Sequence, residues 1–156
     1  MKIKVNYLVI PLITIVVALV GSFFTTSGMA WYDNEIIKPV LTPPDWAFPV
    51  AWNIIFVLTM ISALIFWNKI KNKSDREVLT VLFLGNAFLN ICWSFLFFYQ
   101  REILVAFWEM LVLEITIIFL IIFLYRISKI ASWLLVPYGL WVGFASYLTW
   151  QIFQLN

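Results

Sequence analysis

The chain has 156 residues, of which 64% are hydrophobic and 12% charged, with a formal net charge of +2. A soluble fold of this size could not hide so much apolar side chain, so composition places the chain in a membrane. There is no His and a single cysteine, Cys92. That excludes a disulfide framework, a zinc cluster and a Ser-His-Asp or Cys-His catalytic unit within one chain; no metal site and no nucleic-acid partner is expected.

Five apolar segments are long enough to span a bilayer: about 5–24, 46–68, 78–99, 103–125 and 130–153. Each has about 20 residues or more, enough for a hydrocarbon core of about 30 Å. Period-2 alternation is missing, so the segments are helices and not barrel strands. The expected fold is an all-α integral membrane protein, a five-helix transmembrane bundle forming a single domain over 1–156 with membrane lipid around it. The apolar run of the first segment is longer than the roughly 7–15 residues of a signal-peptide core, which predicts a retained helix.

Between the first two segments lies the main polar interruption, predicted as a long external loop over 25–45. The stretch from Trp31 to Trp52 holds four of the six prolines and three of the nine tryptophans. Proline fixes φ and biases the preceding residue toward extended geometry, which predicts a stiff lid. Thr42 is placed to cap the second helix, with Pro43 in its first turn and Asp45 near its positive end.

Basic residues set the expected orientation. Lys2, Lys4, Lys69, Lys71, Lys73, Arg76, Arg126 and Lys129 fall on one side, against Lys38 and Arg101 on the other. The excess predicts a cytoplasmic amino terminus and an external carboxyl terminus, in the plasma membrane. Short connections at 100–102 and 126–129 make the third, fourth and fifth helices antiparallel neighbours.

Counting turns from the external ends puts Trp52, Asn90, Trp93, Glu109, Trp141 and Ala145 about two to three turns deep, beneath the long loop. Trp31, Trp46, Trp67, Trp133 and Trp150 fall near helix ends, where the rings suit an interfacial belt. Glu109 and Glu114 are costly in a membrane, about 2.5–3.5 kcal/mol each near a helix centre, and belong in the bundle interior. They are separated by about 140° around the helix axis, so they occupy different faces. Glu109 is expected to be held by an indole or amide donor of the third helix. In the fifth helix, Gly139 and Gly143 form a small-xxx-small pair suited to close packing, and Pro137 predicts a kink.

Taken together, three blocks resemble the tryptophan-rich sensory protein family, also called the translocator protein or peripheral benzodiazepine receptor family. They are Trp31-Tyr32 with Lys38-Pro39 and Thr42-Pro43-Pro44; Asn90 with Trp93-Ser94 and Phe97-Phe98; and the segment from Ala131 to Asn156. The resemblance implies a five-helix bundle, often a homodimer, that binds protoporphyrin-like tetrapyrroles and isoquinoline-carboxamide or benzodiazepine-type ligands in a pocket under the first loop. At matching positions the ligand-binding lining would be Tyr32, Trp52, Phe56, Asn86, Asn90, Trp141 and Ala145. Some bacterial members degrade protoporphyrin in a light- and oxygen-dependent reaction, which implies catalytic roles for Trp52 and Trp141. No resident cofactor is required; the porphyrin or another flat aromatic molecule is the ligand or substrate. Leu41, Asp45 and Thr149 depart from the family pattern, and no Lys or Arg follows Tyr147, so the basic end of the animal cholesterol motif is missing. Three functions follow: tetrapyrrole receptor with or without photo-oxidative turnover, exporter of porphyrin-like compounds, or membrane scaffold.

Overall fold

The computed structural model describes residues 4–156, so Lys2 of the basic set lies outside the described residues. Its helices are α1 (Asn6–Asn34), α2 (Ala47–Lys69), α3 (Lys73–Ser94), α4 (Ile103–Ile127), α5 (Lys129–Trp133) and α6 (Val136–Leu155). A π-helical turn, Phe95–Tyr99, continues α3. Among the described residues, five spans are long and apolar enough to cross a membrane, with α5 and α6 forming the last of them. The protein is an all-α integral membrane protein.

Contacts run from α1 to α2, from α2 to α5 and α6, from α6 to α4, from α4 to α3, and from α3 with its π turn back to α1. This closes a ring. The best-buried stripe belongs to α4, where Ala106, Met110, Leu113, Ile117, Leu120 and Leu124 recur every three or four residues and are each at most 1% exposed. That spacing keeps one face turned to the bundle, while Trp108, Val112, Ile115 and Phe119 on the other faces are exposed, as a helix apolar all round should be in lipid.

The first helix is longer than its sequence suggests. It runs to Asn34, so the connection shrinks from 25–45 to 35–46. The polar run that looks like a loop satisfies itself: Thr25 Oγ1 donates to the Gly21 carbonyl at 3.0 Å, Ser27 Oγ to Phe24 at 2.6 Å and Asn34 Nδ2 to Ala30 at 2.8 Å. Trp31 and Tyr32 then pack on Phe97 of the π turn, with ring centroids 5.9 and 6.0 Å away. Trp31 is therefore a core residue and not a belt residue, whereas Trp46 and Trp133 are exposed.

The second helix begins later than expected. Its N-cap is Trp46, without a side-chain cap, and the Thr42 hydroxyl is buried with no hydrogen-bond partner among the described residues. Pro43 and Pro44 lie in the preceding turn, closed by Thr42 N donating to the Pro39 carbonyl and Ala47 N to Pro44. Pro137 behaves as expected: the last span breaks at Leu134–Leu135 and restarts with this proline in the first turn of α6.

Candidate ligand-binding site

A cavity of about 560 Å³ lies between α1, α2 and α3 on the amino-terminal side of the bundle. Its origin is the way α1 leans. At Gly28, on the loop side, α1 meets the π turn so closely that a Cβ would stand 2.7 Å from both the carbonyl carbon and the Cβ of Phe98. Toward the amino terminus the helices leave space, and α1 contributes cavity lining from Val5 to Val17.

The wall is apolar and aromatic, with Phe56, Phe66 and Trp67 from α2 and Phe83 from α3. Its mid-bundle end is polar. Asn86 Nδ2 donates to Thr116 Oγ1 at 2.9 Å, and Asn90 Nδ2 donates to the Tyr138 hydroxyl at 3.2 Å. Both asparagines and Tyr138 are buried and line the cavity. Such pairing is what makes amides tolerable in hydrocarbon.

Of the seven expected lining residues, Phe56, Asn86 and Asn90 reach this cavity, and Tyr32, Trp52, Trp141 and Ala145 do not. Trp52 stands one ring behind the wall, with centroids 5.8 Å from Phe56 and 6.2 Å from Tyr138. It also faces Trp93 at 6.3 Å, and Trp93 stacks on Phe97 at 5.4 Å, which in turn touches Tyr32. Trp141 packs instead on Phe48 and Phe144, and Ala145 is buried in the core around Met110 and Val142. The outer half of the bundle, where turn counting places a pocket, holds this run of aromatic side chains.

Tyr138 is the residue that sequence reasoning missed, although its spacing to Trp141 and Ala145 puts all three on one face of α6. Asn6 and Thr59, both lining the cavity, were missed as well. Above the bundle, Lys38 Nζ donates to Asp33 Oδ1 at 2.8 Å and lies 4.5 Å from the centroid of Tyr32. The Asp33 carboxylate holds this ammonium above its ordinary value. Asn156 accepts from Ile37 N at 2.9 Å, tying the loop to the end of α6.

The acidic residues depart from expectation. Neither Glu109 oxygen has a hydrogen-bond partner among the described residues, though both are buried. Asn86 and Asn90 of α3 are committed to Thr116 and Tyr138, and the Trp93 indole N–H is itself without a partner among the described residues. Replacing Glu109 by Met should therefore raise stability by about 1–3 kcal/mol, because two unsatisfied buried acceptors disappear. Thermal melting in detergent checks this, and a lower midpoint would mean that the carboxylate has a partner. Glu114 sits in the space left by Gly139, whose added Cβ would lie 3.5 Å from Glu114 Oε1. Gly143 has nothing within 4 Å of that position, so the two glycines do not form one helix contact.

A bundle closed in the order α1, α2, α5–α6, α4, α3, with an amide-floored cavity, now has a family to compare with. The sequence profile of the TspO/MBR family matches residues 9–155. The chain belongs to the TspO/MBR family. It is 39% identical over 140 residues to the tryptophan-rich protein TspO of Chlorobaculum tepidum, covering 90% of this chain and 89% of that one. A second relative, the TspO of Archaeoglobus fulgidus, is 37% identical over 93% of each chain. The human translocator protein is more distant, 26% identical over 88% of this chain and 82% of its own. TspO/MBR membership and the five spans agree on an integral membrane protein.

Proposed function

We propose that this TspO/MBR protein is a membrane receptor that binds protoporphyrin-like tetrapyrroles, and isoquinoline-carboxamide or benzodiazepine-type ligands of similar flatness, in the α1–α2–α3 cavity. The observation that carries the reading is the cavity itself: about 560 Å³, walled by aromatic rings and floored by Asn86, Asn90 and Tyr138. Its volume falls within the roughly 300–1,000 Å³ of small-molecule sites, and an apolar wall with a few fixed polar groups is their usual chemistry. Phenyl and indole faces suit a macrocycle, and the amides suit its polar edge. The clustering of Lys69, Lys71, Lys73, Arg76, Arg126 and Lys129 on the amino-terminal side supports a cytoplasmic placement of that side in the plasma membrane.

Light-driven degradation of the bound porphyrin in air belongs to the same proposal, and the geometry favours Trp52 over Trp141 as the residue that takes part. Trp52 touches two cavity-lining rings, whereas the aromatic contacts of Trp141 are with Phe48 and Phe144. The test is a titration of detergent-purified protein with protoporphyrin IX, read by tryptophan quenching and the Soret band, followed by illumination in air. Saturable micromolar binding is expected, with porphyrin loss slowed in Trp52→Phe and unchanged in Trp141→Phe. No saturable binding would remove the receptor reading. Equal loss in all three proteins would leave a receptor without turnover.

A further inference from the structure

Basic residues gather on the amino-terminal side of the bundle, and a bias of that kind is general among membrane proteins and asks for no ligand. Its distribution within that side does. The chain has eight Asp and Glu residues, of which only Asp75 and Glu77 lie here; residues 1–3 carry none. Both sit near the start of α3 beside Lys73 and Arg76, and Lys73 Nζ stands 3.8 Å from Glu77 Oε1, so that corner is balanced. The corner between α2 and the α4–α5 connection is not. There Lys69 Nζ donates to Ser128 Oγ at 3.2 Å, which brings the end of α2 onto a connection flanked by Arg126 and Lys129. All three cations are exposed, and none forms an ion pair among the described residues. Like charges gathered without a counterion repel, and an anion placed among them removes the repulsion.

The helix face that leads to these cations is apolar and open. Ile115, Ile118, Ile122 and Tyr125 of α4 recur every three or four residues, and each is about half exposed. At 1.5 Å per residue the stripe is about 15 Å long, the depth of one leaflet in a hydrocarbon core of about 30 Å. It ends at the cations: Lys129 Nζ lies 5.5 Å from the centroid of the Tyr125 ring, and Arg126 is the next residue. A leaflet-deep apolar track capped by unpaired cations matches a molecule with acyl chains and a negatively charged head.

We propose that this corner binds an anionic phospholipid, its phosphate held by Lys69, Arg126 and Lys129 and an acyl chain lying along Ile118, Ile122 and Tyr125. The occupant is a lipid and not a soluble anion, because the apolar track is covered together with the charge, and basic sites at the ends of membrane helices hold acidic head groups. The inference is independent of the tetrapyrrole reading, since none of these residues lines the α1–α2–α3 cavity.

The test titrates detergent-purified full-length protein with phosphatidylglycerol and with phosphatidylcholine of identical chains, reading lipid adducts by native mass spectrometry. The anionic lipid should bind at least about tenfold more tightly, since each basic side chain near an acidic head group is worth about fivefold, or about 1 kcal/mol. The triple variant Lys69→Gln, Arg126→Gln, Lys129→Gln should bring the ratio close to one. A second triple variant, Lys4→Gln, Lys71→Gln, Lys73→Gln, removes the same charge from the same side but outside the corner, and should keep the wild-type ratio. Circular dichroism should show wild-type helical content in both; where the first triple does not fold, Lys129→Gln alone, at an exposed position, should still lower the ratio about fivefold. Glycerol 3-phosphate, a head group without chains, should not compete. Equal binding of the two lipids, a preference that survives loss of the corner cations, equal loss in both triple variants, or displacement by glycerol 3-phosphate would overturn the proposal.

Discussion

Alanine at position 28 should unfold or splay the bundle, at a cost of several kcal/mol. The added methyl would press on the Phe98 carbonyl, whose carbon is 2.7 Å away, and backbone of a packed helix cannot swing aside as a side-chain end would. A gain of about 1 kcal/mol from replacing glycine within a helix does not offset that clash. Gly143→Ala is the matched control: nothing lies within 4 Å of its Cβ position, so it should keep the propensity gain and melt at or slightly above the wild-type temperature. Circular dichroism melts of both variants in one detergent decide the matter. Gly28→Ala melting with the wild type would mean that α1 is not seated on the π turn as described. Because the same contact sets the lean of α1, the surviving folded fraction of Gly28→Ala should also show altered ligand affinity.

That contact marks where the sequence stops being legible. The spans could be read because hydrocarbon imposes a minimum apolar length, and the neighbours α3–α4 and α4–α6 because short connections leave no other choice. The end of α1 could not. Thr25, Thr26, Ser27 and Gly28 have the composition of a loop, yet hydroxyls bonding back to carbonyls three or four residues earlier keep the helix going. The π turn leaves no compositional mark: Phe95–Tyr99 reads as ordinary apolar helix, and only the bond from Gln100 N to the Phe95 carbonyl reveals the extra residue. Arg101 follows in the left-handed region at φ 61°, completing a turn whose sequence carries no glycine.

The candidate site was legible in part for a related reason. Asn86 and Asn90 stand out because amides in hydrocarbon need partners, and the structure supplies them. Depth counting points to a pocket on the loop side, where Trp52, Trp93 and Phe97 pack on one another, while the cavity described above lies on the amino-terminal side. Which of two equally aromatic halves stays open depends on the lean of α1, a tertiary property with no local signature. Glu109 shows the same split: its need for a donor is local, but the commitment of the α3 amides elsewhere is not.

Placing the site on the amino-terminal side reverses what a lid over the bundle would predict, and the two placements separate cleanly by mutation. Ala87 lies on α3 between Phe83 and Asn90 and faces the cavity. An indole there has room in a cavity of about 560 Å³, so Ala87→Trp should fold and should weaken protoporphyrin binding at least about 100-fold, or about 2.7 kcal/mol, by occupying the ligand's place. Replacing both Pro43 and Pro44 by glycine should change affinity less than about twofold, because no residue of the 35–46 connection lines the cavity. The second variant would loosen a lid if one governed binding, since glycine gives back the backbone freedom that proline removes. Measured on the same preparation with unchanged helical content, strong loss in the first and none in the second places the ligand between α1, α2 and α3. The opposite pattern would return it to the loop side and require Trp52, Trp93 and Trp141 to part around it.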